Sequence, residues 1–365
     1  VGGCVRDGLL GIPSTDIDCE VYGLAPDALR SLAAQFGDVD DSGEKYGIFT
    51  LRGEGIDLAV PRTERRTGPH HGDFEVLPDP TLSFEKAASR SIPFWRVVLE
   101  TDMEERQVTE EQSMEKMRAA WHAMLESAVS YQGDQRSRSG LVGGDGARMR
   151  RYAAADTTYS GPYMQEVIAT ALSVGESNAC MRKIVAAPTA GACGVLPAVL
   201  VPLYQMGRAT EEEILQALYT ASGIGAVVSF RACIAGASGG CQAEIGTASA
   251  MAAGALTSLR GGDPQQVGHA AAMALKNLMG LVCDPVAGLV EVPCVKRNVV
   301  GSVNAVSCAD MALAGVESRI PVDEVIDCMG EVGRRMPMEM RETALGGLAA
   351  TPTGKAVKER MEQQD

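Results

Sequence analysis

The sequence predicts a mainly α-helical domain over about residues 91–365, preceded by a small, incomplete α+β segment over about residues 1–90. Helix-capping boxes and apolar residues at helical spacing begin only after residue 90. Before that point, short stretches such as residues 19–22 alternate apolar and polar side chains, as half-buried strands do. Aromatic residues are only 4% of the chain while glycine occurs 41 times, which favours closely packed helices with small side chains between them.

The N-terminal segment is predicted to contain strands because Asp16 and Asp18 lie at alternate positions of an apolar stretch. Such a pair points to one face of a strand, and Asp57 on a neighbouring strand would complete a two-metal site for phosphoryl transfer. Most isolated Asp-x-Asp pairs are solvated turn residues, so this spacing alone leaves both interpretations open.

A Gly-Gly-x-Val-Arg-Asp-x-Leu-Leu-Gly pattern starts at Gly2 and precedes these aspartates. Together they resemble the head domain of tRNA nucleotidyltransferases, the CCA-adding and poly(A) polymerase-like enzymes. The resemblance implies Mg²⁺ at Asp16, Asp18 and Asp57, with Gly2, Gly3 and Arg6 near a triphosphate. It stops near residue 90, without the parts that hold tRNA, so we expect a truncated remnant with a vestigial site; residual nucleotidyl transfer is the alternative.

The helical domain begins with clear helix starts. Thr109 with Gln112, Thr210 with Glu213, and Asp263 with Gln266 each form a predicted capping box, the last with a proline at the first helical position. The first helix carries an apolar stripe that we predict to be core, made of Met114, Met117, Trp121, Met124, Leu125 and Ala128.

Composition limits the partners and the location of the protein. The formal net charge of −14 argues against general nucleic-acid binding, and makes tRNA an unexpected partner. Ten cysteines without a CxxC pair indicate reduced thiols and a cytoplasmic setting. The uncharged run over residues 184–206 is interrupted by Pro188, Pro197 and Pro202, so we expect a loop and a buried helix, not a membrane span.

Two cysteines, Cys283 and Cys294, bracket a segment rich in Pro and Gly that is predicted not to form one continuous helix. Cys241 lies in a similar Gly-flanked turn, whereas Cys180, Cys233, Cys308 and Cys328 fall in stretches of helical character. Three thiolates converging from turns would leave one iron of a [4Fe–4S] cluster without a protein ligand. Buried free cysteine is common, so plain core packing is the alternative.

Several long motifs occur in order: residues 139–145, 187–194, 239–244, 275–277, 283–298 and 346–354. Over about residues 91–365 they resemble the alpha chain of iron–sulfur-dependent L-serine dehydratase, an L-serine ammonia-lyase that needs no pyridoxal phosphate. The resemblance implies a [4Fe–4S] cluster on Cys241, Cys283 and Cys294, with its open iron binding the serine hydroxyl, and a separate beta chain. Serine would be converted to pyruvate and ammonia.

Roles for the remaining candidate residues are expectations. We assign substrate binding to two Gly-containing loops and to one cation that follows Cys294: Ser139, Gly140, Gly143, Gly144, Thr189, Gly191 and Arg297. His269 and Lys296 are alternative general bases, His269 by its chemistry and Lys296 if burial lowers its pKa. For His269 a satisfied core histidine, and for residues 136–145 a plain surface turn, are the competing interpretations. A non-catalytic scaffold in which the cysteines only pack is the alternative for the whole domain.

Overall fold

The computed structural model describes residues 17–20, 26–40, 48–51, 56–59, 63–66, 74–77, 87, 89–155 and 158–363. The chain divides into two compact units, Val1–Pro80 and Thr81–Asp365. The predicted boundary at residue 90 lies ten residues into the second unit, whose first long helix starts at Phe94.

The N-terminal unit has strands β1 Ile17–Glu20, β2 Val39–Asp40, β3 Ile48–Leu51 and β4 Ile56–Ala59 in one sheet, ordered β1-β4-β3-β2. A second sheet pairs β5 Thr63–Arg66 with β6 Phe74–Leu77. Helix α1, Pro26–Ala33, follows β1. The unit is therefore of α+β type.

The register of the parallel β1–β4 pair sets Asp18 opposite Asp57. Gly2, Gly3, Arg6 and Asp16 lie outside the described residues, so the Mg²⁺ site and the nucleotidyltransferase resemblance stay predictions.

The second unit is helical. Its helices are α2 Phe94–Arg106, α3 Glu110–Val129, α4 Asp145–Ala153, α5 Pro162–Ala179, α6 Val195–Gln205, α7 Glu211–Arg231, α8 Gly236–Gly239, α9 Thr247–Leu259, α10 Pro264–Leu278, α11 Cys294–Leu313, α12 Val322–Arg335 and α13 Pro352–Glu362. A π-helical turn, Gln242–Gly246, precedes α9, and short 3₁₀ turns occupy Ala190–Ala192, Val286–Gly288, Met338–Met340 and Gly347–Ala350.

The predicted helix starts are confirmed. Reciprocal capping boxes join Thr109 to Gln112, Thr210 to Glu213 and Asp263 to Gln266 at the starts of α3, α7 and α10. The stripe on α3 faces the core as expected: Trp121 is fully buried, and Met124 and Ala128 are nearly so. Trp121 meets Tyr204 of α6 edge to face, with 5.6 Å between the ring centroids.

Helix α9 is at the centre of this unit and packs against α7, α10 and α11. Its residues from Thr247 to Thr257 are buried, and almost all of them are Ala, Gly, Ser or Thr. Small side chains allow the neighbouring helices to approach closely, as the composition predicted.

The uncharged run over residues 184–206 forms a loop, a 3₁₀ turn and the buried helix α6, which confirms the prediction. Among the described residues, only α7 is long and apolar enough to cross a membrane by length and composition. Of its apolar window 61% is buried inside the fold, as in the core helix of a folded domain.

Candidate functional site

The three predicted cluster ligands are buried and lie at the edge of the α9 core. Cys241, Cys283 and Cys294 are only 2%, 2% and 7% exposed. Cys283 lies in an extended segment between α10 and α11, whereas Cys294 begins α11 and Cys241 directly precedes the π-helical turn. The prediction that all three occupy turns is therefore wrong for Cys241 and Cys294. A helix start suits a thiolate, because the helix dipole stabilises negative charge there.

The structure brings the three thiols together. Burial raises the pKa of Cys241 to about 11, and nearby Glu244 raises it while Arg297 lowers it. Burial raises the pKa of Cys294 to about 12, with a further contribution from Cys241. The pKa of Cys283 is raised by burial, then by Cys241, Glu244, Glu342 and Cys294. Each thiol therefore resists ionisation unless positive charge compensates it.

Glu244 is a half-buried carboxylate that sequence reasoning did not select as a site residue, although it ends the motif at residues 239–244. Thr189 donates its hydroxyl hydrogen bond to Glu244 Oε1 at 2.7 Å, and Cys283 Sγ lies 4.0 Å from Oε2. Desolvation raises the pKa of this carboxyl, the Thr189 bond lowers it, and Glu342 raises it. Glu244 thus joins the predicted substrate loop containing Thr189 to the thiols.

Gly236, at the start of α8, packs closely against the Cys283 thiol and two carboxylates. A Cβ at this position would lie 3.0 Å from Cys283 Sγ, 2.8 Å from Glu244 Oε2 and 3.0 Å from Glu342 Oε2. Glu342 has the left-handed φ of 62° and donates its N–H to Cys283 O at 2.7 Å. The absence of a side chain at Gly236 therefore lets Cys283, Glu244 and Glu342 come together at this point.

Arg297 is a cation beside Cys241, and its side chain is 13% exposed. Its Nη1 donates to Val282 O at 2.7 Å and its Nη2 donates to Asp284 Oδ1 at 2.9 Å, while its charge also acts on Cys241. Asp284 Oδ2 accepts the N–H of Leu348 at 2.8 Å. The guanidinium is thus bound within the protein beside Cys241, so its predicted contact with substrate has less support than a structural role.

Asn298 ties the second predicted substrate loop to α11, and sequence reasoning did not select it. Its Oδ1 accepts the N–H of Gly194 at 2.8 Å, and its Nδ2 donates to Gly191 O at 2.9 Å and to Cys294 O at 3.0 Å. The side chain is 1% exposed. The only sequence signal was its position at the end of the motif at residues 283–298.

The loop over residues 139–144 leads into α4 with Gly143 and Gly144 at positive φ, 134° and 80°. Within the described part of the chain, no hydrogen bond uses the N–H of either glycine. The Ser139 side chain is buried, since the residue is 7% exposed, and its hydroxyl donates to Glu291 Oε2. Both glycines are buried, and a Cβ on Gly143 would lie 2.2 Å from Gln135 O, so only glycine fits where the loop packs against its own preceding backbone.

A buried carboxylate holds the end of this loop. Glu176, on α5, accepts the N–H of Asp145 at 2.8 Å and that of Gly146 at 3.4 Å. It also accepts the Tyr131 hydroxyl at 2.5 Å. The first turn of α4 is therefore fixed to α5.

The two predicted general bases lie in different places. Lys296 is 67% exposed and pairs with Asp145 Oδ2 at 3.2 Å, so the burial that a lysine base requires is missing. This pair does set the start of α11 beside the start of α4. His269 lies on α10, and its Nδ1 accepts the N–H of Ser318 at 3.3 Å. Along the helix axis it is about 14 Å from the C-terminal end of α10, which leads to Cys283. The structure does not bring His269 to the thiols.

Comparison with known proteins identifies relatives of the helical unit. The family model for the serine dehydratase alpha chain matches residues 89–349. The probable L-serine dehydratase, alpha chain, of Bacillus subtilis (strain 168) is 50% identical over 225 residues, which cover 62% of this chain and 75% of that protein. The L-serine dehydratase, alpha chain, of Peptoniphilus asaccharolyticus is 44% identical over 271 residues, covering 74% and 92%. L-serine dehydratase TdcG of Escherichia coli (strain K12) is 46% identical over 181 residues, covering 49% and 40%.

Proposed function

The chain belongs to the serine dehydratase alpha chain family, and from this premise we propose that it is an L-serine ammonia-lyase, which converts L-serine to pyruvate and ammonia. The observation that carries the proposal is a sequence identity of 44% to 54% to proteins named as L-serine dehydratase alpha chains. The family match includes Cys241, Cys283 and Cys294.

The residues around Gly236 and Arg297 fit the [4Fe–4S] cluster that the sequence resemblance implies. Cys241, Cys283 and Cys294 would hold it. As thiolates beside Glu244 and Glu342, the three cysteines would form a strongly anionic site with Arg297 as a nearby cation. A cationic centre is therefore needed to keep the thiols ionised. When bound, the group supplies Lewis acidity at an iron without a protein ligand, which assists departure of the serine hydroxyl.

A lone metal ion fits less well. No group of three or more His, Cys, Asp or Glu side chains, within the residues that the structure describes, is arranged to hold a single ion. Thiolates on different irons of a cluster need not converge on one point, which favours the larger group.

We assign substrate binding to the two Gly-containing loops and to a carboxylate beside Cys283. The N–H groups of Gly143 and Gly144 are assigned to the serine carboxylate, because backbone donors at positive φ make an anion-binding concavity. The carboxylate of Glu342, on the far side of Gly236, suits the serine ammonium. Thr189 and Gly191 shape the wall that carries Glu244.

Glu244 Oε2 is the atom that we assign to accept the Cα proton. Oε1 accepts the Thr189 hydroxyl, while Oε2 lies 4.0 Å from Cys283 Sγ. Loss of that proton and of the hydroxyl, as water, leaves aminoacrylate, which tautomerises to an imine and is hydrolysed to pyruvate and ammonia. His269 and Lys296 remain the alternative bases.

A beta chain is the proposed partner. The relatives in Bacillus subtilis and Peptoniphilus asaccharolyticus are named alpha chains, and the match to the Escherichia coli protein TdcG covers only 40% of its length. We expect full activity only when a beta chain is supplied.

The test is serine-dependent pyruvate formation by the full chain, reconstituted anaerobically with iron and sulfide and mixed with a beta chain. Wild type should form pyruvate, and E244Q should lower kcat by about 100-fold or more while keeping its iron, since general-base catalysis contributes about that much. H269Q should stay within a few-fold of wild type. No pyruvate from iron-loaded wild type would refute the function, and an active E244Q beside an inactive H269Q would move the base to His269.

A further inference from the structure

Glu291 is a buried carboxylate between Cys283 and Cys294 that neither the motif analysis nor the proposed mechanism uses. It is 5% exposed. Ser137 Oγ donates to its Oε2 at 2.8 Å, and Ser139 Oγ donates to the same oxygen. One carboxylate oxygen therefore accepts both serine hydroxyls of the loop that leads to Gly143 and Gly144.

The two serines in turn hold the backbone of that loop. Leu141 N donates to Ser139 Oγ at 3.0 Å, and Val142 N donates to Ser137 Oγ at 3.4 Å. Ser137 N donates to Val142 O at 3.1 Å. Because each hydroxyl has its proton directed at Glu291, its lone pairs are turned toward these N–H groups. The carboxylate thus sets the conformation of the turn through both hydroxyls.

The backbone of Glu291 is attached to the cysteine-bearing segment. Its N–H donates to Leu289 O at 2.7 Å, and its carbonyl oxygen accepts the N–H of Val295 at 3.0 Å, in the first turn of α11. Val295 follows Cys294 directly. Glu291 is therefore one link between the thiol segment and the loop over residues 137–144.

We propose that Glu291 is a positioning residue for the serine substrate: it fixes the Gly143 and Gly144 donors relative to the thiols, and so sets the affinity for the serine carboxylate. The inference rests on the proposed function, since it requires that this loop bind substrate. Hydrogen bonds to a buried charged acceptor are stronger than neutral ones, which makes a carboxylate an effective anchor for two hydroxyls.

The kinetic arm compares E291A and E291Q in the full chain, loaded with iron and sulfide and mixed with a beta chain. E291A should raise KM for serine about tenfold or more with a much smaller change in kcat, because it loosens groups that bind ground state and transition state alike. E291Q keeps one oxygen able to accept both hydroxyls and should recover most of that loss. E126A, which changes an exposed carboxylate that pairs with Lys183, is the control.

A second arm needs neither substrate nor cluster. Arg136 and Arg138 are exposed, and each directly precedes one of the two serines, so trypsin cleavage after them reports release of the loop. Cleavage there should be about tenfold faster in E291A than in wild type, E291Q or E126A. If E291A does not fold, the S137A/S139A double variant removes the two donors and should show the same cleavage and the same rise in KM.

The proposal is overturned if E291A and the double variant match E126A in both KM and cleavage rate, or if E291Q is as impaired as E291A in both. Wild type without serine activity would refute the proposed function instead, while the cleavage arm would still report on the loop.

Discussion

Two ends of one helix carry buried cysteines with different surroundings. Cys294 begins α11, and Cys308 lies about 21 Å further along it. Burial is the largest cause of the raised pKa at both, to about 12 for Cys294 and about 11 for Cys308. Cys294 faces other thiols, carboxylates and Arg297, whereas Cys308 accepts from Asn277 Nδ2 at 3.4 Å and donates to Asn304 Oδ1 at 3.6 Å.

The difference shows that burial does not identify a ligand. Cys193 is buried like both of them, has its pKa raised by desolvation to about 12, and donates its thiol to the carbonyl of Val174 within the hydrophobic core. What distinguishes Cys241, Cys283 and Cys294 is that the nearby carboxylate of Glu244 adds to burial in raising the pKa of each. At Cys308 the neutral amides of Asn277 and Asn304 satisfy the sulfur instead.

The strongest test of this comparison replaces cysteines of both kinds. C241S, C283S and C294S should each abolish bound iron and pyruvate formation, because a serine hydroxyl is a poor ligand for an iron–sulfur centre. C193A and C308A should keep iron and activity and cost about 1–2 kcal/mol of stability. Iron and acid-labile sulfide per chain, measured after anaerobic purification, separate the two groups. Iron lost equally from C308A and C241S would erase the distinction.

A smaller effect is expected when a side chain is added at Gly236. G236A puts a methyl group within 3.0 Å of Cys283 Sγ and of both carboxylates, and should lower iron content or kcat/KM about tenfold or more. G246A is the matched control, since that glycine is buried and helical but its nearest neighbour would be 3.8 Å away. It should stay within about twofold of wild type. Equal iron content and kcat/KM in the two variants would mean that the close packing of Gly236 against Cys283 has no function.

The smallest effect belongs to the core end of α11. Asn304 Nδ2 donates to Ser249 Oγ at 2.9 Å and to Ala274 O at 3.0 Å, and its Oδ1 accepts from Asn277 at 2.7 Å. N304A should therefore lower the free energy of unfolding by about 1–3 kcal/mol in denaturant titration, with iron content unchanged. S307A, an exposed neighbour, should change it by less than about 0.5 kcal/mol. Loss of iron from N304A would show that this end also supports the cluster.

Local patterns in the sequence determined the helices of the second unit. Capping boxes at Thr109, Thr210 and Asp263 act over three residues, and the stripe on α3 follows the helical repeat, so neither depends on distant contacts. The family motifs likewise selected the three cysteines and both loops as candidates, and their roles stay predictions. Cys233, predicted in a helical stretch, lies in the loop between α7 and α8, because the helical pattern ends one or two residues earlier than the composition indicates.

The roles of individual side chains depended on the tertiary structure. Glu244, Glu291 and Asn298 stood inside recognised motifs, yet nothing local distinguishes a carboxylate beside a thiol from one that binds two serines 154 and 152 residues away. The same holds for Lys296 and Arg297, adjacent cations of which one is exposed and the other buried against Asp284. The sequence determined which residues are available, and helix packing decided which of them meet, because burial and charge proximity arise from contacts between distant segments.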